Sequence, residues 1–211
     1  LLILLKLTPV SREEYNLCWN SKNANSDIEK ARMFYVRVRQ SFYGLGIQRK
    51  NKGWHMVKTL SRANLGETVS KWHNAIDKLH DVIDKLSHIQ LENTDFRELI
   101  PKMDFKQAFF YNDPPYPEEC RKSKNDYKYD FTDQDHIDLA KILHGITGKA
   151  MISSYECKLI KELYEDRGWF KVKFPPKNNN IRSGKVQECI WTNYNPETIQ
   201  QQIKLKFNYQ E

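Results

Sequence analysis

An aspartate, two prolines and a tyrosine, Asp113-Pro114-Pro115-Tyr116, stand directly after the apolar run Phe109-Phe110-Tyr111-Asn112. Average composition places such a tetrapeptide by chance in about one chain of this length per thousand, so it is read as a built feature. These residue types suit group transfer to an exocyclic amine. The nitrogen of a nucleobase amine is a poor nucleophile because its lone pair is delocalised into the ring. Acceptors aimed at its two N–H bonds favour a more tetrahedral nitrogen, and the Asp113 carboxylate and Pro114 carbonyl would supply two of them. The prolines fix the backbone, and Pro114 has no N–H to present in place of its carbonyl. Tyr116 offers a ring on which an extruded base can stack. The structural alternative is a proline turn with a tyrosine packed beneath it.

The elements that must position this turn read as α/β. Short β-type runs at His88 to Leu91, Ala108 to Asn112, Ala150 to Ser153, Phe170 to Phe174 and Val186 to Asn193 alternate with helical patterns. Thr132 with Asp135 predicts a capped helix whose Ile137, Ala140, Ile142, Leu143 and Ile146 face inward, and a second helix covers Lys158 to Asp166. Only the polar loop Lys177 to Gly184 separates the last two β-type runs, which predicts an antiparallel hairpin. A mostly parallel sheet ending in such a hairpin resembles the Rossmann-like plan of S-adenosylmethionine-dependent methyltransferases. In open sheets of this kind, ligands bind beyond the carboxyl ends of the strands, where Asp113 would stand. Layout alone does not fix function.

Upstream, residues 11 to 39 read as helical, opened by a Ser11/Glu14 capping pattern, and Gly44, Gly46 and Gly53 break the next segment. Val69, Trp72, Ala75, Ile76, Leu79, Val82, Ile83 and Leu86 recur at three and four, predicting one amphipathic helix from Thr68 to Leu86. This part also holds the charge. The 211 residues carry a formal net charge of +7, and residues 1 to 85 alone have 15 Lys+Arg against 8 Asp+Glu. Lys30 to Arg62 contains nine basic residues and no acidic one, interleaved with Phe34, Tyr35, Phe42, Tyr43 and Trp54. That is an electrostatic footprint for a polyanion, with duplex DNA or structured RNA the preferred partner over a solvated helix face. Gln40, Ser41, Gln48 and Asn51 are polar groups suited to phosphates and base edges.

Other classes are disfavoured. With 39% hydrophobic and 12% aromatic residues, the composition argues for a packed core. The apolar run Leu1 to Leu7 is far shorter than the roughly 20 residues needed to cross a bilayer. Cys18, Cys120, Cys157 and Cys189 form no C-x-x-C pair and read as reduced thiols of a cytoplasmic protein, and no histidine pair has metal-ligand spacing.

The set of motifs resembles the Dam-type DNA adenine-N6 methyltransferases, most closely their phage and prophage branch. Besides Asp113 to Tyr116, it rests on Thr8 to Tyr15, Arg39-Gln40-Ser41-Phe42, Val69-Ser70-Lys71-Trp72 and Gln90 to Phe96. It continues through Phe131 to His136, Gly148 to Tyr155 and Trp191-Thr192-Asn193-Tyr194. The resemblance implies site-specific methyl transfer from S-adenosylmethionine to N6 of adenine in double-stranded DNA by a monomer that flips the base, cytoplasmic and bacterial or phage-encoded. It assigns Asp113, Pro114, Pro115 and Tyr116 to the target amine, and Asp95, Phe96 and Asp113 to the cofactor. The basic segment corresponds to the family's DNA-recognition region, with Arg39, Arg49, Asn51, Lys52 and Lys58 as the expected DNA contacts. Ser153, Ser154 and Tyr155 are candidates for shaping the base pocket, and Tyr127 and Tyr129 for closing over it. Asp133, Asp135 and His136, at a helix start, read first as capping groups.

The domain reading follows: residues 1–7 as the end of a preceding catalytic part, 8–86 as a helical DNA-recognition region, and 87–211 as the catalytic core. The family's glycine-rich cofactor turn has no counterpart in this sequence, since Gly44-Leu45-Gly46 lies inside the basic segment. Weak or no cofactor binding by this chain alone, and exposed strand edges, are therefore expected. Methylation of cytosine N4 or of an RNA base shares the same amine chemistry, and a non-catalytic DNA-binding remnant is the alternative from a different class.

Overall fold

The computed structural model describes residues 1–20, 24–42, 53–56, 66–121, 130–178 and 185–198. The chain divides into two compact units, Leu1–Glu92 and Asn93–Glu211.

The described part of the first unit is helical: α1 (Leu2–Leu7), α2 (Arg12–Leu17), α3 (Asp27–Arg39), α4 (Glu67–Asp77) and α5 (Leu79–Leu86). Its core gathers Leu5, Tyr15, Cys18, Met33, Val36, Trp72 and Ile76, each side chain contributing about 1.5–3 kcal/mol by leaving water. Residues 1–7, expected to close a preceding catalytic part, thus form a helix whose Leu5 lies in this core. The helix predicted over 11–39 is two. Ser26 Oγ accepts from Glu29 N at 3.2 Å and restarts the helix as its cap, with Asp27 and Glu29 in the first turn. At α2, Ser11 Oγ accepts from Glu14 N at 3.0 Å. The reciprocal half of the capping box is replaced, because the Glu14 carboxylate turns to Arg32 at 2.5 Å.

The helix predicted from Thr68 to Leu86 is divided at Lys78. Trp72, Ala75 and Ile76 are buried, whereas Val82, Ile83 and Leu86 are exposed, so packing holds only the first half of the stripe. His88 to Leu91, expected as a strand, forms none, and all four residues are exposed. A strand persists by pairing, and no described strand pairs with this one.

The second unit contains α6 (Phe96–Met103), β1 (Phe109–Asn112), α7 (Asp133–Gly145), β2 (Lys149–Tyr155), α8 (Lys158–Leu163), β3 (Phe170–Lys173), β4 (Lys177–Asn178), β5 (Lys185–Val186) and β6 (Glu188–Thr192). Its four-stranded sheet has the order β1-β2-β6-β3. Only β1 and β2 are parallel, while β6 runs antiparallel to both β2 and β3. The sheet is therefore mixed rather than mostly parallel, because α7 is the one helical crossover between paired described strands. The predicted hairpin is present as β3 and β6, extended by the β4-β5 ribbon.

Ala150, Ile152, Cys189 and Trp191 face the core with Ile100, Leu139, Ala140, Leu143, Ile160, Tyr164 and Trp169. Along α7 the buried positions are His136, Leu139, Ala140 and Leu143, and Ile137 points outward instead. Two glycines fit where side chains would not. A Cβ on Gly148 would come 2.8 Å from the Ala108 carbonyl oxygen, and Gly168 has φ +84° at the end of the turn after α8. The Asp104 carboxylate fixes the entry to β2, accepting from Thr147 N at 2.8 Å and from Gly148 N at 2.9 Å.

Candidate functional site

β1 carries its side chains alternately to the two faces of the sheet and delivers the chain to Asp113 at its carboxyl end. The register pairs Asn112 with Ile152, so the next residue of β2, Ser153, comes level with the start of the turn. Ser153 Oγ lies 2.7 Å from Asp113 Oδ1 and donates to it. The same hydroxyl is 3.3 Å from Asn112 O, and Tyr111 Oη donates to it at 3.4 Å. Asn112 Nδ2 reaches Met151 O at 3.2 Å and closes the strand end. Asp113 itself is exposed, so the carboxylate is anchored from the sheet yet open to an incoming group.

Tyr116 is half-buried, with its ring edge-on to Tyr155 at 4.7 Å and 79°. Burial raises its phenol pKa, opposed by a hydrogen bond with Ser153 and assisted by the nearby Asp113 and Glu188 charges. The phenol is therefore neutral across the physiological range. Pro115 and Pro117 continue the turn into the single helical turn Glu118–Cys120, where Glu119 Oε1 accepts from Leu159 N at 2.8 Å and ties the segment to α8. Asp130 receives Arg121 Nη2 on both carboxylate oxygens at 2.9 Å.

The helix after the motif is built as its cap predicts: Asp135 N donates to Thr132 Oγ1 at 3.2 Å and Asp135 Oδ2 accepts from Thr132 N at 2.8 Å. Asp135 is held low, at about 2, by the Thr132 hydroxyl and then by Arg97. His136 is fully buried, edge-on to Phe131 at 4.8 Å. Its ring faces the Pro115 carbonyl without a hydrogen bond of regular geometry. Burial lowers its pKa, against the pull of Asp133.

Sequence reasoning missed two features. Arg97 bridges Asp95, Asp135 and Asp138, a network over 38 and 41 residues of chain that no local spacing signals. The sequence separation of Cys120 and Cys157 also hides their mutual influence, by which the Cys120 thiol pKa is lowered and that of Cys157 raised.

The nominated DNA contacts divide. Arg39 is exposed at the end of α3, its guanidinium 5.8 Å over the Tyr35 ring; Arg49, Asn51, Lys52 and Lys58 lie outside the described residues, as do Gln48, Tyr127 and Tyr129. Gln40, expected to suit a base edge, is fully buried, donating to Pro9 O at 3.0 Å and accepting from Trp54 Nε1 at 3.3 Å. Ser41 is buried too and donates to Val38 O at 3.0 Å. Within the basic window, Arg32 is engaged by Glu14 and Glu29 and Lys30 by Asp27, so these two cations belong to the helices' own ion pairs.

A mixed sheet with helices packed on it, and a polar turn at the carboxyl end of a parallel strand, is compatible with a methyltransferase fold. The sequence model of the D12 class N6 adenine-specific DNA methyltransferase family matches residues 12–177, and the chain belongs to that family. It is a DNA methyltransferase of the adenine-specific type, EC 2.1.1.72, and its substrate is adenine N6 in DNA rather than cytosine N4 or an RNA base. Comparison with curated proteins gives no match.

Methyltransferases of this type normally use S-adenosylmethionine. Asp95 and Phe96, the residues expected to receive its adenosyl part, stand at the start of α6. Asp95 caps α6, accepting from Arg97 N at 2.8 Å, and its other oxygen pairs with the Arg97 guanidinium at 3.3 Å. Phe96 has that guanidinium 4.4 Å over its ring and Phe131 beside it at 5.4 Å. Among the described residues no group of three or more His, Cys, Asp or Glu is placed to hold a metal ion, and no helix is long and apolar enough to cross a membrane.

Proposed function

We propose that the turn Asp113 to Tyr116 is the acceptor end of the reaction, receiving the N6 amino group of an adenine flipped out of duplex DNA. The observation that carries this reading is the exposed Asp113 carboxylate, fixed by Ser153 at the carboxyl end of β1. Asp113 and the Pro114 carbonyl accept the two N–H bonds, localise the nitrogen lone pair and orient it for attack on the methyl group of a sulfonium donor, whose methyl–sulfur bond would break to release the neutral thioether. After transfer the nitrogen carries one proton too many, and the exposed carboxylate is placed to accept it. Tyr116, steadied by Tyr155, stacks on the extruded base and replaces the stacking lost from the duplex.

In this reading Arg39 and the basic stretch holding Arg49, Asn51, Lys52 and Lys58 contact the duplex, and the enzyme, bacterial or phage-encoded, works as a monomer in the cytoplasm. The test is transfer of labelled methyl from S-adenosylmethionine to unmethylated duplex DNA, followed by digestion to nucleosides. Labelled N6-methyladenine that disappears in Asp113→Ala is the expected result. A folded chain that binds DNA and transfers no label is instead a non-catalytic DNA-binding remnant.

A further inference from the structure

The geometry points to Ser153 as a positioning residue for methyl transfer: its hydroxyl fixes one oxygen of the Asp113 carboxylate and leaves the other to the target amine. This rests on the reading of Asp113 as an amine acceptor.

The argument starts from the sheet. β2 lies between β1 and β6, and Ala150 and Ile152 turn into the core. Ser153 therefore belongs to the opposite face, in register with Ile190 of β6. An apolar residue would be the default at such a position, since Ser153 is only 6% exposed and an unsatisfied buried hydroxyl costs about 1–3 kcal/mol. The hydroxyl has one proton and three candidate partners around it. Asn112 O at 3.3 Å is a long contact, Tyr111 Oη approaches as a donor at 3.4 Å, and Asp113 Oδ1 at 2.7 Å is the short, charge-assisted acceptor. The proton therefore goes to Asp113.

That bond has a geometric effect which matters only for a reacting carboxylate. A free aspartate at an exposed turn samples several rotamers. Bonding to a β2 side chain, itself held by pairing on both sides, selects one of them before the substrate arrives. Preorganisation of this kind acts on the rate of the chemical step, because a misplacement of about 1 Å is enough to cost about 10²-fold.

The experiment measures kcat and KM for DNA, with labelled S-adenosylmethionine and unmethylated genomic duplex, for wild type, Ser153→Ala, Ser153→Thr and Asp113→Ala, each with its melting temperature. Ser153→Ala is expected to lower kcat about 10- to 100-fold with KM for DNA within about twofold, and Ser153→Thr, which keeps the hydroxyl, to recover most of the loss. A folded Ser153→Ala with kcat within twofold of wild type, beside an inactive Asp113→Ala, overturns the inference and leaves the acceptor reading standing. Equal loss in Ser153→Thr and Ser153→Ala, or a rise in KM alone, also overturns it. If Ser153→Ala fails to fold, Ser153→Cys decides: its weak donor supports the inference by a kcat loss and overturns it by wild-type kcat. Full activity in Asp113→Ala, or none in wild type, removes the acceptor reading and this inference with it.

Discussion

In the first unit the buried Gln40 amide joins Pro9 O to the Trp54 indole, and the half-buried Arg32 joins Glu14 on α2 to Glu29 on α3. In the second unit the buried Ser153 hydroxyl points instead at an exposed carboxylate. The three side chains obey the same rule, that a polar group leaving water must find a partner. What separates structure from function is the partner's own situation. A backbone carbonyl, a half-buried indole or a partly sheltered ion pair as partner closes a packing problem, whereas an exposed carboxylate at a strand end gains rigidity while staying open to an incoming group.

The largest effect that tests this contrast is at the exposed partner. Asp113→Ala is expected to lower methyl transfer at least about 10²-fold, the scale of losing one preorganised polar contact to a reacting centre, while DNA affinity and melting temperature stay close to wild type. Because Asp113 is exposed and makes its short hydrogen bond to a single side chain, its removal leaves the core intact. Loss of DNA binding or of folding on this substitution would place Asp113 with the structural groups and dissolve the contrast.

Arg32→Ala probes the other side. It leaves Glu14 and Glu29, both only partly exposed, without their shared cation, and breaking a sheltered ion pair from one side costs about 3–5 kcal/mol when fully buried and less here. Chemical denaturation of the chain is expected to show a loss of about 2 kcal/mol. If stability is unchanged and DNA affinity falls instead, Arg32 is a surface cation after all and the inward reading of the first unit fails.

Much of this organisation was legible in the residues. The Thr132/Asp135 cap, the β-type runs at β1, β2, β3 and β6, and the turn following Phe109 to Asn112 are local signals, and each falls where its spacing puts it. What was not legible depends on distant partners. The apolar content of His88 to Leu91 cannot make a strand without an edge to pair with, and Val82, Ile83 and Leu86 continue a helical period that packing does not use. Gln40 and Ser41 looked like binding groups because composition reports the residue type and not its burial. Ser153 was visible as a polar residue at a strand end, but only the parallel register of β1 and β2 brings it to Asp113.

Arg39 gives a smaller and more specific measurement. Its exposed position at the end of α3 predicts that Arg39→Ala changes stability by less than about 0.5 kcal/mol. Affinity for duplex DNA should fall by a similar factor on different sequences, with the slope of log affinity against log salt reduced by about one. The contrast with Arg32 then lies between two arginines of one helix, one serving the fold and one the ligand. An unchanged salt slope removes Arg39 from the DNA contacts.

The smallest effect concerns pH and belongs to the second unit. Asp135 is held at about 2 by the Thr132 hydroxyl and by Arg97, against an ordinary value of 3.8. Its pKa is depressed by folding, so the unfolded state binds the proton more readily, and the stability it contributes is present above pH 3.8 and lost as pH falls toward 2. The carboxylate is partly exposed, and solvent screening limits the contribution to about 1 kcal/mol. Asp135→Asn should therefore lower the melting temperature at pH 7 and make little difference near pH 2. The Glu156 carboxylate, held at about 2 by Lys171 and then Lys173, keeps part of the acid sensitivity in that variant. A deficit in Asp135→Asn that is the same at pH 7 and pH 2 would mean that the cap works through shape alone, and that the Arg97 network contributes no charge-dependent stability beside the proposed site.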